Sequence, residues 1–252
     1  MRIGPHEIDG GSCFIIAEAG TSHLGQIGSA LAHVATAHQK GADAVKFQMF
    51  VPDEPLFCPL DGDEKRRERW NRSAMKFEEW QEVKRACDGM GIVFLASAFQ
   101  HTAVEWLKKL NVAAYKVASR AAGTYPYDVV PGPFIVSRWS GSSDGGPDAM
   151  ASFWHPEKYK ILQCGPKYPT PLSGARWVSG DGLSDHSGTI WPGLHAMGQE
   201  PCEAAPRCEI LEVHFAIDKA DAGPDAPVCL TPYELSVLCY ARNAFAEMRG
   251  AA

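Results

Sequence analysis

The sequence predicts an α/β protein built as a (β/α)8 barrel, the TIM barrel. The chain has 252 residues, the usual length of one such barrel. Eight short apolar runs recur along it: 13–19 (CFIIAEA), 44–48 (AVKFQ), 92–97 (IVFLAS), 113–119 (AAYKVAS), 133–137 (PFIVS), 159–164 (YKILQC), 182–184 (GLS) and 209–215 (EILEVHF). Several intervals between these runs carry helix signals, so the order is strand then helix, repeated.

Continuous apolar runs, as opposed to strict alternation, are what strands buried on both faces of a parallel sheet look like. Parallel strands need crossovers, and the spacing supplies them. In 29–40, Leu31, Val34, Ala35 and His38 fall on one helical face before Gly41, a residue suited to the left-handed stop. In 75–91, Phe77, Trp80, Val83, Lys84 and Cys87 recur at helical spacing and Gly91 follows. Residues 102–110 (TAVEWLKKL) predict a third helix. Thr231, Pro232 and Glu234 form a capping box with proline at the first helical position, which starts a helix running to about residue 248. The intervals after the fifth and sixth strands are thin and Gly-rich, so their helices are expected to be shortened or missing. No G-x-G-x-x-G turn favours an open doubly wound sheet, and no repeat or linker divides the chain. A single catalytic domain over 1–252 is the expectation.

The composition is 45% apolar and 21% charged, that of an ordinary globular protein. A net charge of −6 argues against a broad basic surface for nucleic acid or anionic lipid, so small anions must be met in a local pocket. No apolar run approaches the roughly 20 residues that span a bilayer, and the N-terminus lacks a signal-peptide core. A cytoplasmic protein without a membrane partner is expected. Eight cysteines without a CxxC pair read as reduced thiols, not as a disulfide framework or a zinc knuckle.

Polar residues stand inside or just after nearly every apolar run: Glu18, Lys46, Ser97, Lys116, Ser119, Ser137, Tyr168, Ser184, Asp185, His186 and His214. In a (β/α)8 barrel the strand ends meet on one face, where active sites sit. Lys46 and Lys116 are each embedded in a hydrophobic run, and a buried ammonium needs an anion. With the serines they point to a small dianionic or trianionic ligand. His186 and His214 end consecutive strands, a placement at which two imidazoles can share a divalent metal with open positions left. Glu212 shares a pleat face with His214 and reads as an inner-layer acid or an ion-pair partner.

The run IIAEAGTSHLGQIGSALAHVATAHQKGADAVKFQMF (15–50) resembles the opening signature of the sialic acid synthase (N-acetylneuraminate synthase) family. Further matches follow in order: FLASAFQ (94–100), YKVAS (115–119), IVSRWS (135–140), LQCGPKYPTP (162–171), GLSDHSG (182–188), EVHFAID (212–218) and GPDAPVCL (223–230). The resemblance covers the barrel domain. Full-length relatives add a C-terminal antifreeze-like domain that supplies an arginine to a neighbouring subunit's site, and this sequence shows no counterpart of it.

The resemblance implies a transferase that joins phosphoenolpyruvate to an aldehyde of an aldose acceptor and releases phosphate. It assigns phosphoenolpyruvate to Lys46, Ser97, Lys116, Ser119, Ser137 and Ser184, a divalent metal (Mn2+ or Mg2+) to His186 and His214, the water-activating base to Glu18, and the acceptor to Tyr168 and Asp225. Departures gather on the acceptor side: Phe99 with Gln100, Ala121, Arg138 and Pro166. An acceptor other than N-acetylmannosamine is therefore expected; nucleic acid is not an expected partner, and an acceptor tethered to a nucleotide or polymer stays compatible with the reading. A homodimer is compatible with the resemblance. Two other readings stand beside it: another metal-dependent barrel aldolase or isomerase, and a non-catalytic barrel serving as a binding partner.

Overall fold

Each long strand begins apolar on both faces and turns polar on one face near its end, and that change decides what the interior becomes. The computed structural model describes residues 1–58, 64–139, 157–165, 167–174, 180–199 and 207–250. A two-stranded hairpin, β1 (Arg2–Ile3) and β2 (His6–Glu7), precedes the barrel. The barrel strands are β3 (Phe14–Gly20), β4 (Ala44–Met49), β5 (Val93–Ala98), β6 (Tyr115–Val117), β7 (Phe134–Trp139), β8 (Tyr159–Cys164), β9 (Gly182–Asp185) and β10 (Ile210–His214). They close in the ring order β10-β3-β4-β5-β6-β7-β8-β9 with every pairing parallel. The eight expected runs are the eight strands, and the (β/α)8 barrel is the fold.

Odd and even positions separate cleanly. Ile15, Ala17, Val45, Phe47, Phe94, Ala96, Val136 and Val213 face the helices, in one apolar cluster with Val34, Trp80 and Leu107. Ile16, Ala44, Leu95, Ala114, Ile135, Leu162 and Ile210 face inward and pack with Ile3 and Ile8, so the hairpin plugs the N-terminal end. Gly182 is obligatory on this inner face, because a Cβ there would lie 2.0 Å from the Ile210 carbonyl oxygen.

The helices among the described residues are α1 (Ile27–Gln39), α2 (Glu64–Ser73), α3 (Phe77–Met90), α4 (His101–Lys109), α5 (Trp191–Gly198) and α6 (Pro232–Met248). α3 buries Trp80, Val83 and Cys87 and stops at Gly91 with φ 77°. α6 opens with the Thr231–Glu234 capping box. The face of α1 differs from expectation: it buries Ala30, His33, Val34 and Ala37, while His38 is exposed. The reason is the imidazole of His33, whose Nδ1–H donates to the Ser29 carbonyl at 2.8 Å and whose ring packs edge-on against Phe215. With Nδ1 bonded inside the helix and Nε2 buried without a partner among the described residues, the ring serves as core.

Two short 3-10 turns, Ser119–Ala121 and Tyr127–Val129, follow β6 in place of a helix. After β8 the described residues hold one 3-10 turn, Leu172–Gly174. The expected thin crossover after β7 lies outside the described residues, as do Pro166 and Cys202. The other seven cysteines are free and buried. No helix among the described residues is long and apolar enough to cross a membrane.

Candidate active site

Two residues beyond the apolar inner layer, on the same face of each strand, stand Glu18, Lys46, Ser97, Lys116, Ser137, Cys164, Ser184 and Glu212. All eight strands contribute one residue, so the layer exists only when the barrel is closed. A β-bulge between Glu18 and Gly20 tilts the end of β3. Gly20 takes φ 57°, with Asp225, Gln48 and Glu18 all about its Cα.

The charges in this layer answer one another. Lys46 Nζ lies 2.7 Å from Glu18 Oε2, 3.1 Å from Ser97 Oγ and 3.9 Å from Glu212 Oε2. Lys116 Nζ donates to Ser137 Oγ at 2.7 Å and stands 3.4 Å from Glu212 Oε2. Ser184 Oγ donates to Glu212 Oε1 at 2.8 Å. Both lysines are buried, at 3% and 1% exposure. Burial opposes the Lys46 ammonium, but the carboxylates of Glu18 and Glu212 outweigh it and hold its pKa above the ordinary value. At Lys116 burial prevails over the pull of Glu212, with Lys46 adding repulsion, and the pKa is lowered. Burial also opposes the Glu212 carboxylate, yet Lys116 and Lys46 hold it well below the usual range. Glu212 is thus the counter-ion shared by both lysines.

The imidazoles of His186 and His214 stand above this layer with ring centroids 5.3 Å apart. His186 Nε2 is 3.4 Å from Ser184 Oγ, and His214 Nε2 is 3.3 Å from the Tyr168 hydroxyl. That hydroxyl donates to Asp225 Oδ1 at 3.1 Å. The Tyr168 loop is tied down by Thr170, whose N–H donates to the His186 carbonyl at 2.8 Å and whose hydroxyl donates to the Lys167 carbonyl at 2.7 Å. Burial, aided by the neighbouring His214, pushes the His186 pKa down to about 3, so the ring is neutral with a lone pair to offer. Two imidazoles facing one cavity fit a divalent cation held by two protein ligands. Among the described residues no group of three or more His, Cys, Asp or Glu is gathered as a metal cage.

Glu18, Lys46, Ser97, Lys116, Ser119, Ser137, Tyr168, Ser184, His186, His214 and Asp225, the eleven residues assigned roles from the resemblance, line a single cavity of about 300 Å3. Asp185, also noted at a strand end, lies outside it, with its carboxylate accepting from the Ser187 N–H and hydroxyl. The cavity also holds residues that sequence reasoning passed over. Gln48 follows Lys46 by two positions in the same run and donates to Glu18 Oε1 at 3.4 Å; the period-2 pattern contained that signal. Arg66, Arg69 and Trp70 reach the mouth from α2, joined by Arg120 and Lys167. Of the departures noted on the acceptor side, Phe99 lines the cavity. Gln100 instead clips a loop, receiving the Val51 N–H at 3.0 Å and donating to the Glu54 carbonyl at 3.1 Å. Ala121 belongs to the outer core.

A closed barrel with a charged, imidazole-bearing cavity at the C-terminal ends of its strands defines a (β/α)8 enzyme. The NeuB family model matches residues 33–252, and the chain belongs to the NeuB family, the sialic acid synthase family of enzymes. It is 26% identical to the N,N'-diacetyllegionaminic acid synthase of Legionella pneumophila over 90% of this chain and 70% of that protein. It is 28% identical to the human N-acetylneuraminate-9-phosphate synthase over 90% of this chain and 68% of that one. Among solved structures, the Bacillus subtilis spore coat polysaccharide biosynthesis protein spsE superposes with a TM-score of 0.71 at 26% identity, covering 95% of this chain and 70% of its own. The sialic acid synthetase of Leptospira borgpetersenii shares the fold with a TM-score of 0.76 at 23% identity, covering 99% and 90%.

Proposed function

We propose that the chain is a phosphoenolpyruvate-dependent condensing synthase acting on an aldose. The observation that carries this reading is the buried layer in which Lys46 and Lys116 are each paired to a carboxylate and a serine hydroxyl. A small anion entering there can displace Glu18 from Lys46 and take hydrogen bonds from Ser97, Ser137 and Ser184, so that both buried ammonium groups keep a counter-charge. The relatives that make diacetyllegionaminic acid and N-acetylneuraminate 9-phosphate support the same chemistry.

In the reaction, C3 of phosphoenolpyruvate bonds to the aldehyde carbon of the acceptor, whose oxygen takes a proton and becomes a hydroxyl. Water adds its oxygen at C2, and the C2–O bond to the phosphoryl group breaks, releasing inorganic phosphate. Glu18, freed from Lys46 by the arriving anion, accepts the proton of that water. Lys46 and Lys116 neutralise charge that develops on the donor. Tyr168 and Asp225, already hydrogen-bonded to each other, orient the acceptor. A divalent cation (Mn2+ or Mg2+) bound by His186 and His214 would supply Lewis-acid polarisation of the acceptor carbonyl. The acceptor is not N-acetylmannosamine: Phe99 in the cavity wall offers no partner for its hydroxyl and amide groups, and unpartnered polar groups weaken binding.

A phosphate-release assay with phosphoenolpyruvate, Mn2+ and a panel of aldoses tests this reading. The wild-type chain releases phosphate only when donor and acceptor are both present. Lys46→Met combined with Glu18→Gln, which removes both halves of the ion pair and so spares the fold, lowers the rate at least 1,000-fold, on the order of 4 kcal/mol of transition-state stabilisation. Absence of phosphoenolpyruvate binding sinks the proposal, and efficient turnover of N-acetylmannosamine refutes the acceptor assignment.

A further inference from the structure

Asp225 stands at the cavity on a piece of chain with little core of its own. It lies in the 3-10 segment Lys219–Val228, whose buried side chains are Ala222 and Val228. The far end of this segment is secured to β10, where the Leu230 N–H donates to the His214 carbonyl at 2.7 Å. The near end is capped by Asp218, whose Oδ1 accepts the Ala220 N–H at 2.9 Å. Between these anchors the backbone leaves helical geometry at Gly223, with φ 57° and ψ −124°. Only glycine takes such a conformation without strain.

Arg69 of α2 fills that break. A Cβ on Gly223 would lie 2.3 Å from Arg69 Nη1, 2.6 Å from its Cζ and 3.1 Å from its Nε, so the guanidinium sits directly against the Gly223 backbone. The same group donates from Nη2 to the Asp221 carbonyl at 2.6 Å and from Nε to Thr21 Oγ1 at 2.9 Å. Thr21 is buried in the loop after β3 and lines the cavity. One planar fork thus ties α2, the β3 loop and the Asp225 segment together, which a single ammonium point could not do. Burial weighs against the charge on Arg69, and the Asp225 carboxylate is the foremost group that favours it. α2 is in turn held by Trp70, stacked on Phe50 at 4.1 Å between ring centroids.

Asp225 lies two residues beyond the point of contact. Its Oδ1 accepts the Tyr168 hydroxyl at 3.1 Å, and that hydroxyl is 3.3 Å from His214 Nε2. A displacement on the order of 1 Å at Gly223 therefore carries to the groups that hold the acceptor, where errors of that size cost rate. Resting on the synthase reading above, we propose that Arg69 is a positioning residue for the acceptor, seating the Gly223 break so that Asp225 and Tyr168 stand in place before the sugar arrives. It acts through Asp225 and contributes nothing to donor binding.

Amide hydrogen exchange with phosphoenolpyruvate and Mn2+ present reads this seat without an acceptor. Arg69→Ala and Arg69→Lys each speed exchange at the Ala220, Asp221 and Cys229 amides about 10-fold or more, while the β4 and β5 amides stay within about twofold. In phosphate release with the aldose that the panel turns over fastest, both variants raise acceptor KM about 10-fold or more and lower kcat less than about threefold. Phosphoenolpyruvate affinity by calorimetry stays within about twofold, because the lysine layer belongs to other elements. Adding Arg69→Ala to Asp225→Asn raises KM less than about twofold beyond Asp225→Asn alone, since both changes act on one carboxylate. Unchanged exchange in the segment, wild-type KM in the lysine variant, or additive losses in the double variant overturns the inference alone. Loss of helical signal in Arg69→Ala overturns it too, by making Arg69 a residue of the fold. Failure of the wild-type chain to bind phosphoenolpyruvate, or to release phosphate with any aldose, overturns the synthase reading beneath it.

Discussion

His23 shows how a single side chain in a catalytic barrel is fixed by packing. It is fully buried, with its ring edge-on to Phe47 and Trp80 at centroid distances of 5.7 and 5.5 Å, and its Nδ1 accepts the Gly25 N–H at 3.3 Å. Nδ1 therefore holds no proton, and the buried Nε2–H has no hydrogen-bond partner among the described residues. Burial, with minor help from His33 and Arg69, depresses the pKa from 6.5 to about 3. Below pH 6.5 the unfolded chain takes up a proton at His23 that the folded chain refuses. Its contribution to stability is complete above that pH and erodes as pH falls toward about 3. His33, also depressed mainly by burial, acts in the same direction. Acidification from pH 7 to pH 4.5 is expected to cost on the order of 2 kcal/mol through His23. Thermal unfolding followed across that range, in the wild type and in His23→Leu, checks it: the variant has the shallower pH slope, and parallel slopes remove His23 as the cause. The same residue type reads differently at His186 and His214, which line the cavity.

At the scale of elements, α2 determines what the mouth can recognise, and it is the element that the sequence hides best. Its residues, EKRRERWNRS, are polar on every face with Trp70 the lone large apolar residue, so no helical period shows. Packing of that one indole against Phe50 and Phe99 holds it. Trp70→Ala is expected to cost about 3 kcal/mol, measured by urea unfolding. It should also raise KM for the acceptor while phosphoenolpyruvate binding persists, because the lysine layer belongs to other elements; equal weakening of both substrates counts against this division. α5 escaped for a different reason: WPGLHAMG is short, begins with proline near its first turn and is apolar without a polar face. The two-residue strands of the N-terminal hairpin are shorter than any periodic window. By contrast the barrel strands were legible because burial on both faces leaves continuous apolar runs, and the site was legible because ionisable residues interrupt those runs at their ends. The rim arginines were not, since a charge on a polar helix looks the same whether it faces bulk water or a cavity mouth. The buried face of α1 was misplaced because His33 hides its polarity in a bond to Ser29.

For the whole molecule, a closed barrel makes the first and last strands neighbours, and the site depends on that seam. β10 pairs with β3, placing His214 beside Glu18 and Glu212 within reach of both lysines. The seam is fastened from outside by Arg242 on α6. Its Nη1 donates to Asp43 Oδ2 at 2.5 Å and to the Cys13 carbonyl at 3.3 Å, and its Nη2 to the Gly41 carbonyl at 3.1 Å. Asp43 in turn accepts the Ile15 N–H at 2.7 Å. One guanidinium thus links the last helix to the start of β3 and to the turn before β4. The pair is nearly dry, with side chains 11% and 14% exposed, so removing one partner strands the other. Arg242→Ala is expected to cost about 3 kcal/mol, and adding Asp43→Asn should recover part of that loss because the uncompensated carboxylate is gone. Urea unfolding of the two single variants and the double variant measures the coupling. Because all eight strands supply the polar layer, phosphoenolpyruvate binding and helical signal should disappear together in each variant. Loss of binding well before loss of helix would mean that the seam can open while the rest of the barrel stands.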